Sequence, residues 1–429
     1  MIPWQCWGIF FMHFQEKILE IDNPKSFKWE EVYKSILKSS SNLSTHWIKL
    51  NLIKTTRSKL YFHLVTINNS DYKPFFNEPY KPHLPCKPQS NKQNIPCLII
   101  PTGIGAKFGG YAGDANPIAK AIAFNSDILI THPNVVNGSV LTDLPSNVVY
   151  LEGFLLDHFL LGQINLTVNK INKIGVIFDS GIGERRIDYE VNVLNASKAF
   201  YGAEVTAWTV TDKPLKITTN VNKDGFSSGD IGDLKGLIEK ALFLKSKKVD
   251  AIAICTLIKD SNKNKKYVLG EGLDPIGGIE ALISHSVSFY TGLPSAHAPV
   301  LTSKEKINYK KISPLSAGEY IADTFLPSVI NGLRFSPKVT KSGGVINSGN
   351  LNSIYVPSSA FGSAGVIYSN DCFKNVVLVD ENKTALKVDY RHIKAKFKRI
   401  KSYLNLIKNN HANISLNSLV RPIEKIPRI

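Results

Sequence analysis

The absences in this sequence narrow its reading first. No apolar run approaches the ~18 to 20 residues that a membrane-spanning helix needs, so no membrane span is expected. The apolar opening MIPWQCWGIFF has no basic leader and no small-residue cleavage site, and it fits neither a signal peptide nor a transit peptide. Met12, in MHFQEKILEI, is the expected start of the folded part. Cysteine is scarce and odd in number: Cys6, Cys86, Cys97, Cys255 and Cys372 show no C-x-x-C spacing. That excludes a disulfide frame and a zinc knuckle and points to a reducing compartment. No H-x-H, H-E-x-x-H or H-x-x-x-H pair is present, and neither G-x-G-x-x-G nor G-x-x-x-x-G-K-[ST] occurs, so metal, ordinary dinucleotide and P-loop readings lose their usual signatures.

Acidic residues are also outnumbered, 35 Asp and Glu against 52 Lys and Arg, for a formal charge of +17. Such a charge invites nucleic acid, because clustered cations release counterions from phosphate backbones. The lysines are spread along the chain among many Asn and Ile, as AT-rich codons would give, and the basic runs SNKNKK and HIKAKFKRIK lack the repeated aromatics of a single-strand binding face. A nucleic-acid partner is therefore not expected; a small-molecule ligand is.

With 429 residues, 43% of them hydrophobic, the chain can fill a sizeable core. Residues 12–94 read as a leading α+β unit: KSFKWEEVYKSILKSS has helical spacing, HWIKLNLI and KLYFHLVTI read as strands, and the proline-rich NEPYKPHLPCKPQSNKQ is a linker. From 95 to 390 short apolar strands alternate with helices: IPCLIIP, SDILITHP, KIGVIFDSG, EVTAWTVT and VDAIAICTL, with helices such as DYEVNVLNASKAFYG and GGIEALISHSVSFYTG between them. This alternation predicts an α/β core with a predominantly parallel sheet in a three-layer arrangement. Residues 391–429 read as a basic helix and tail.

In parallel sheets ligands sit beyond the carboxyl ends of the strands, and polar residues collect at nearly every such end here. The loop IPTGIGAKFGGYAGDA carries Gly103, Gly105, Gly109, Gly110 and Gly113, followed by Asp114 and a helix start at Pro117. Glycines let a ligand approach the backbone, and a helix N-terminus offers free N–H groups to an anion; a tight packing turn, with Asp114 as its cap, is the competing reading. VPSSAFGSAG repeats the device with Ser358, Ser359 and Gly362. His132 follows a strand in THPN, His285 lies in the helix of EALISHSV and His297 in PSAHAPV; each serves as a base, a ligand or a hydrogen-bonded core residue. Asp179 ends the strand VIF, and Asp274 sits in GEGLDPIGG. The catalytic candidates are thus His132, His285, His297, Asp179 and Asp274, with no metal assigned and the cofactor open. The one match to a nucleophile elbow, GFSSG around Ser227, has no apolar strand before it and reads as a flexible loop.

The strings IPTGIGAKFGGYAGDANPIAKAIA, ITHPNVVNG, VVYLEGFLLDHF, GVIFDSGI, GEGLDPIGGIEALISH, PSAHAP and TFLPSVINGL, in that order, resemble an uncharacterised family of cyanobacterial and plastid proteins labelled a domain of unknown function. The resemblance runs from about Ile95 to Thr384, leaving the leading unit and the tail after Tyr390 outside it. It implies a plastid or cyanobacterial setting, here the stroma of a plastid whose own genome encodes the chain, and implies no reaction. Where it implies several acidic residues before GEGLDP, this chain has KDSNKNKKYVL with Asp260 alone, which weakens a divalent-ion role there. The expectation is a soluble α/β enzyme binding a phosphorylated or carboxylated metabolite; the alternative is a binding regulator or assembly factor without chemistry.

Overall fold

A computed structural model describes residues 12–68, 72–83, 93–138, 143–168, 171–259, 265–301, 308–373, 375–407 and 425–427. The expectations for the opening MIPWQCWGIFF, for residues 84–92 of the proline-rich segment with Cys86, for Asp260 and for residues 408–424 and 428–429 of the basic tail fall outside these residues.

The chain begins with β1 (His13–Asp22), α1 (Trp29–Ser39), β2 (Trp47–Thr55) and β3 (Lys59–Asn68), an antiparallel sheet in the order β1-β3-β2. Helix α1 forms because Trp29, Val32 and Ile36 recur on one face and are buried there. Next come β4 (Pro96–Leu98), α2 (Asn116–Phe124), β5 (Leu129–Thr131), α3 (Pro133–Val136), β6 (Val148–Tyr150), α4 (Gly153–Leu160) and β7 (Asn165–Thr167). A second run follows: β8 (Lys173–Phe178), α5 (Glu184–Tyr201), β9 (Glu204–Val210), β10 (Ile217–Val221), β11 (Ser227–Ile231), α6 (Leu234–Ser246), β12 (Ala251–Ile258), α7 (Lys265–Val268), α8 (Gly277–Thr291) and β13 (Ser295–Leu301). The chain then returns through α9 (Leu326–Leu333), β14 (Lys338–Thr340), β15 (Ser353–Pro357), α10 (Ala364–Phe373), β16 (Val376–Val379) and β17 (Lys398–Ile400).

The strands form two principal sheets rather than the one expected. The first is six-stranded and parallel throughout, in the order β17-β16-β15-β4-β5-β6. In the second, β9, β8, β12 and β13 run parallel, and the antiparallel hairpin of β10 and β11 joins β12 at Ile217 and Ile258. Strand β12, AIAICTLI, is buried at all but one position because helices cover both of its faces. The fold class is mixed α/β.

Two readings of the sequence need correction. GFSSG is no flexible loop: Ser227 opens β11, with Ser227 and Ser228 each 1% exposed. Its polar sequence hid a strand that α8 covers, where Gly229 is needed because a Cβ there would meet the carbonyl of Thr218 at 2.1 Å. Nor does HIKAKFKRIK form a helix; its Lys398–Ile400 extends the first sheet as β17, parallel to β16. Edge position tolerates the basic side chains, which stay in water.

The leading sheet shares its core with the rest, Trp29, Phe62 and Leu64 joining one apolar cluster with Phe154 and Phe289. Its β2 edge is stitched to the loops after β15 and β16: Leu52 N–H donates to Gly362 O at 2.9 Å and Lys387 N–H to Ile53 O at 3.0 Å. Gly362 permits that approach, since a Cβ on it would lie 2.4 Å from Leu52 Cβ.

Candidate functional site

The carboxyl ends of four strands of the first sheet converge on one cavity of about 220 Å³. Thr102 follows β4, His132 follows β5, Glu152 follows β6 and Ser363 follows β15; the second sheet adds His297 from β13, and α8 adds Glu280. The leading sheet closes it with Lys49 and Asn51 of β2 and His63 of β3. Lys49 and Asn51 share a face because strand side chains alternate, and Asn51 pairs with His63 across the sheet.

Burial sets the electrostatics. It pushes the carboxyls of Glu280 and Glu152 up to about 8 and that of Asp157 to about 7. Asp274 is raised well above its ordinary range by burial and by the fields of Glu280 and Glu319. The same desolvation pulls Lys49 down to about 8, His132 and His63 to about 4, and His285 and His297 to about 3. Near pH 7 the carboxyls of Glu280, Glu152 and Asp274 and the four imidazoles are therefore mostly neutral, Asp157 is about half ionised, and Lys49 is still mostly charged.

Hydrogen bonds fix the roles of the imidazoles. Ile100 N–H donates to His132 Nε2 at 3.0 Å, so the neutral ring carries its proton on Nδ1 and is a donor, not a base. His285 Nδ1 lies 3.0 Å from the Ile48 carbonyl and must donate to it. That leaves Nε2 as an acceptor 3.1 Å from Glu152 Oε1, which is protonated at neutral pH. Glu152 itself accepts from Phe154 N–H and Leu155 N–H and so starts α4.

His297 sits between two partners, its Nε2 2.7 Å from Thr256 Oγ1 and its Nδ1 3.1 Å from Glu280 Oε1. The row resembles a hydroxyl–imidazole–carboxylate triad, but Thr256 is 0% exposed within β12, so the hydroxyl is no nucleophile. The more open end of the row toward the cavity is the Glu280 carboxyl, whose side chain is 23% exposed against 1% for His297. Because a threonine hydroxyl donates or accepts, either neutral tautomer of His297 is satisfied, and the ring meets Glu280 with a lone pair or an N–H. Beside it Asp274 Oδ1 accepts from Ile276 N–H at 2.9 Å, and Tyr267 reaches Glu319 Oε1 at 2.8 Å.

The cavity thus gathers His132, His285, His297 and Asp274 of the expected residues, together with Gly110 and Gly362. Asp179 lies elsewhere, buried, with its carboxylate taken by the N–H groups of Gly181, Leu215 and Leu257. Outside the lining too are Gly103, Gly105, Gly109, Gly113, Asp114, Ser358 and Ser359. Asp114 accepts from Gly109 N–H inside the loop, and Ser359 Oγ bonds Thr384 Oγ1 at 2.9 Å. Gly103, at φ +67°, is pressed on the protein itself: a Cβ would fall 2.3 Å from Ser227 Oγ and 2.8 Å from Gly278 N. Sequence reasoning missed Glu152, Glu280, Glu319, Asp157, Lys49 and His63. A signal existed for Glu152, the first acid after a strand end in VVYLEG; Glu280 looked like an ordinary first-turn acid of α8. Among the described residues no group of three or more His, Cys, Asp or Glu is arranged to hold a metal ion, and no helix is long and apolar enough to cross a membrane.

Fold and site define a mixed α/β protein whose parallel strands deliver buried carboxyls and imidazoles to one cavity. Residues 95–419 match the model of the DUF3326 family, described as proteins of unknown function, and the chain belongs to that family. The match reaches beyond Tyr390 and includes much of the basic segment set outside the resemblance in the sequence reading. A curated relative, an uncharacterised lipoprotein of a Synechococcus strain, is 38% identical over 297 residues, 67% of this chain and 82% of that protein. No solved structure matches.

Proposed function

We propose that this protein is an enzyme acting on a small carboxylated or phosphorylated metabolite, with Glu280 giving and taking a proton. The observation that carries the proposal is the Glu280 carboxyl, neutral near pH 7, facing the cavity and backed by the His297–Thr256 pair. A carboxyl with a pKa close to the working pH is suited to general acid–base transfer, which typically contributes ~10²- to 10⁴-fold to rate. His297 acts through Glu280 as a positioning residue, and His132 offers a proton without accepting one. For the ligand's anionic group, Lys49 is the cationic side chain among the described lining residues, whereas the glycine loop serves close packing of the protein on itself. The cyanobacterial relative and the AT-biased composition support a plastid stroma as the setting.

The test is deuterium exchange: wild-type protein and Glu280→Gln are incubated in D₂O with mixtures of carboxylated and phosphorylated metabolites and followed by proton NMR. The expected result is label entering one metabolite with the wild type and at least about a hundredfold slower with Glu280→Gln. Binding of a metabolite by both proteins with exchange by neither would refute the enzyme reading and leave the binding regulator.

A further inference from the structure

Lys49 is the cationic side chain among the described residues that line the cavity. It is 9% exposed, yet its side-chain amine makes no hydrogen bond or ion pair among the described residues. The carboxylate whose field it feels, Glu16, is committed to others: Glu16 Oε1 lies 2.7 Å from His63 Nε2, and Oε2 accepts from Ser228 Oγ at 2.7 Å. An amine removed from water without a partner is costly unless something else meets it. Lysines placed this way serve as nucleophiles toward carbonyl groups, because burial leaves the free amine populated.

We propose that Lys49 forms an imine with a small 2-oxo acid. This rests on the reading of the cavity given above and names its substrate class. The ligand's carboxylate draws it to the amine, and the carbonyl carbon lies one bond from that carboxylate. The lone pair of the neutral ε-amine adds to the carbonyl carbon while the C=O π pair moves to oxygen. Both nitrogen-bound protons leave with that oxygen as water, giving C=N, and uptake of one proton gives the iminium. No oxidant or reductant is required. The iminium then draws electron density from the neighbouring carbon, whose proton Glu280, in its ionised form, takes.

Burial brings Lys49 to about 8, so at pH 7 about a tenth of it is free amine, against about 0.03% for a lysine at 10.5, roughly a 300-fold difference. Electrophilic capture should follow that difference in part, since nucleophilicity falls with basicity.

The experiment is reductive trapping of the full-length protein. Wild type, Lys49→Met and Lys49→Arg are incubated at pH 7 with millimolar pyruvate or glyoxylate and cyanoborohydride, and adducts are counted by intact mass and placed by peptide mapping. The expected result is one early adduct on Lys49, formed at least about tenfold faster than on exposed lysines, absent from both folded variants and retained in Glu280→Gln. Capture at Lys49 no faster than at exposed lysines, with both probes, overturns the proposal. The two readings separate: exchange that depends on Glu280 without capture at Lys49 removes the imine alone. Capture at Lys49 with deuterium exchange unaffected by Glu280→Gln removes the proton-transfer role alone.

Discussion

Replacing Glu280 by Gln tests the electrostatics of the site without needing its ligand. Glutamine copies the shape of a protonated carboxyl but cannot ionise. Burial raises Glu280 from 4.5 to about 8, so the folded protein holds this proton more tightly than the unfolded chain. The contribution to stability is then complete below pH 4.5 and is lost as pH rises through 8. At pH 7 the wild type still retains on the order of 1 kcal/mol of the advantage of the neutral form, and at pH 9 almost none of it. Urea denaturation of both proteins at pH 7 and pH 9 should therefore show the wild type losing on the order of 1 kcal/mol relative to Glu280→Gln between the two. A stability difference between the two proteins that stays constant over this range would refute the claim that Glu280 is protonated in the folded state.

Three other substitutions probe neighbouring parts of the argument. Lys49→Met should raise the unfolding free energy at pH 7 by on the order of 2 kcal/mol; because the amine's folded pKa is depressed from 10.5 to about 8, that gain should fade as pH rises through 10.5, which denaturation at pH 7, 9 and 10.5 would follow. Thr256→Val leaves His297 Nε2 without its 2.7 Å partner and should cost about 1 to 3 kcal/mol, while shifting the pH midpoint of Glu280 in any exchange assay. Gly103→Ala combines φ +67° with a Cβ 2.3 Å from Ser227 Oγ, and should lower the unfolding free energy by about 2 to 3 kcal/mol; a loss below half a kcal/mol would show that the loop is not packed against β11 as described.

Much of the core was legible in the sequence, for a physical reason: strands such as KIGVIF and AIAICTLI and helices such as DYEVNVLNASKAFY each carry one period, and the parallel alternation leaves few connections to choose from. Partition into two sheets was not legible, because each strand reads alike whichever sheet it joins. Polar strands were lost as well. β11, SSGDI, has no apolar alternation and owes its burial to α8, and β17 is a basic edge whose pairing with β16 no local pattern announces. At the site, His132 and Asp274 follow strand and loop signals visible in THPN and GEGLDP. His285 and His297 also reach the cavity, but their roles depend on Ile48, Thr256 and Glu280, partners that only tertiary structure supplies. Lys49 was hidden twice, as one lysine in a lysine-rich chain and as part of a unit read apart from the core.

What unites Lys49, Glu152, Asp157, Asp274 and Glu280 is a single cause acting in opposite directions. Loss of water raises the carboxyls and lowers the amine, so each moves toward its neutral form. For stability alone such groups are a poor choice: apolar residues of similar volume would avoid the desolvation cost, and Lys49 does not even gain an ion pair in exchange. Elsewhere the sequence avoids this conflict, placing Asp179 against three backbone N–H groups and Arg186 against the buried Glu190 at 2.8 Å. Since the fold pairs buried charges there, and hydrogen-bonds Glu152, Asp274 and Asp157 within the cavity, the unpaired amine of Lys49 is a feature that a ligand completes rather than a failure of packing. The amine also comes from β2, before the segment that matches the family, so the leading sheet does more than shield the strand ends: it brings the group of opposite basicity to a cavity whose acids come from the family segment.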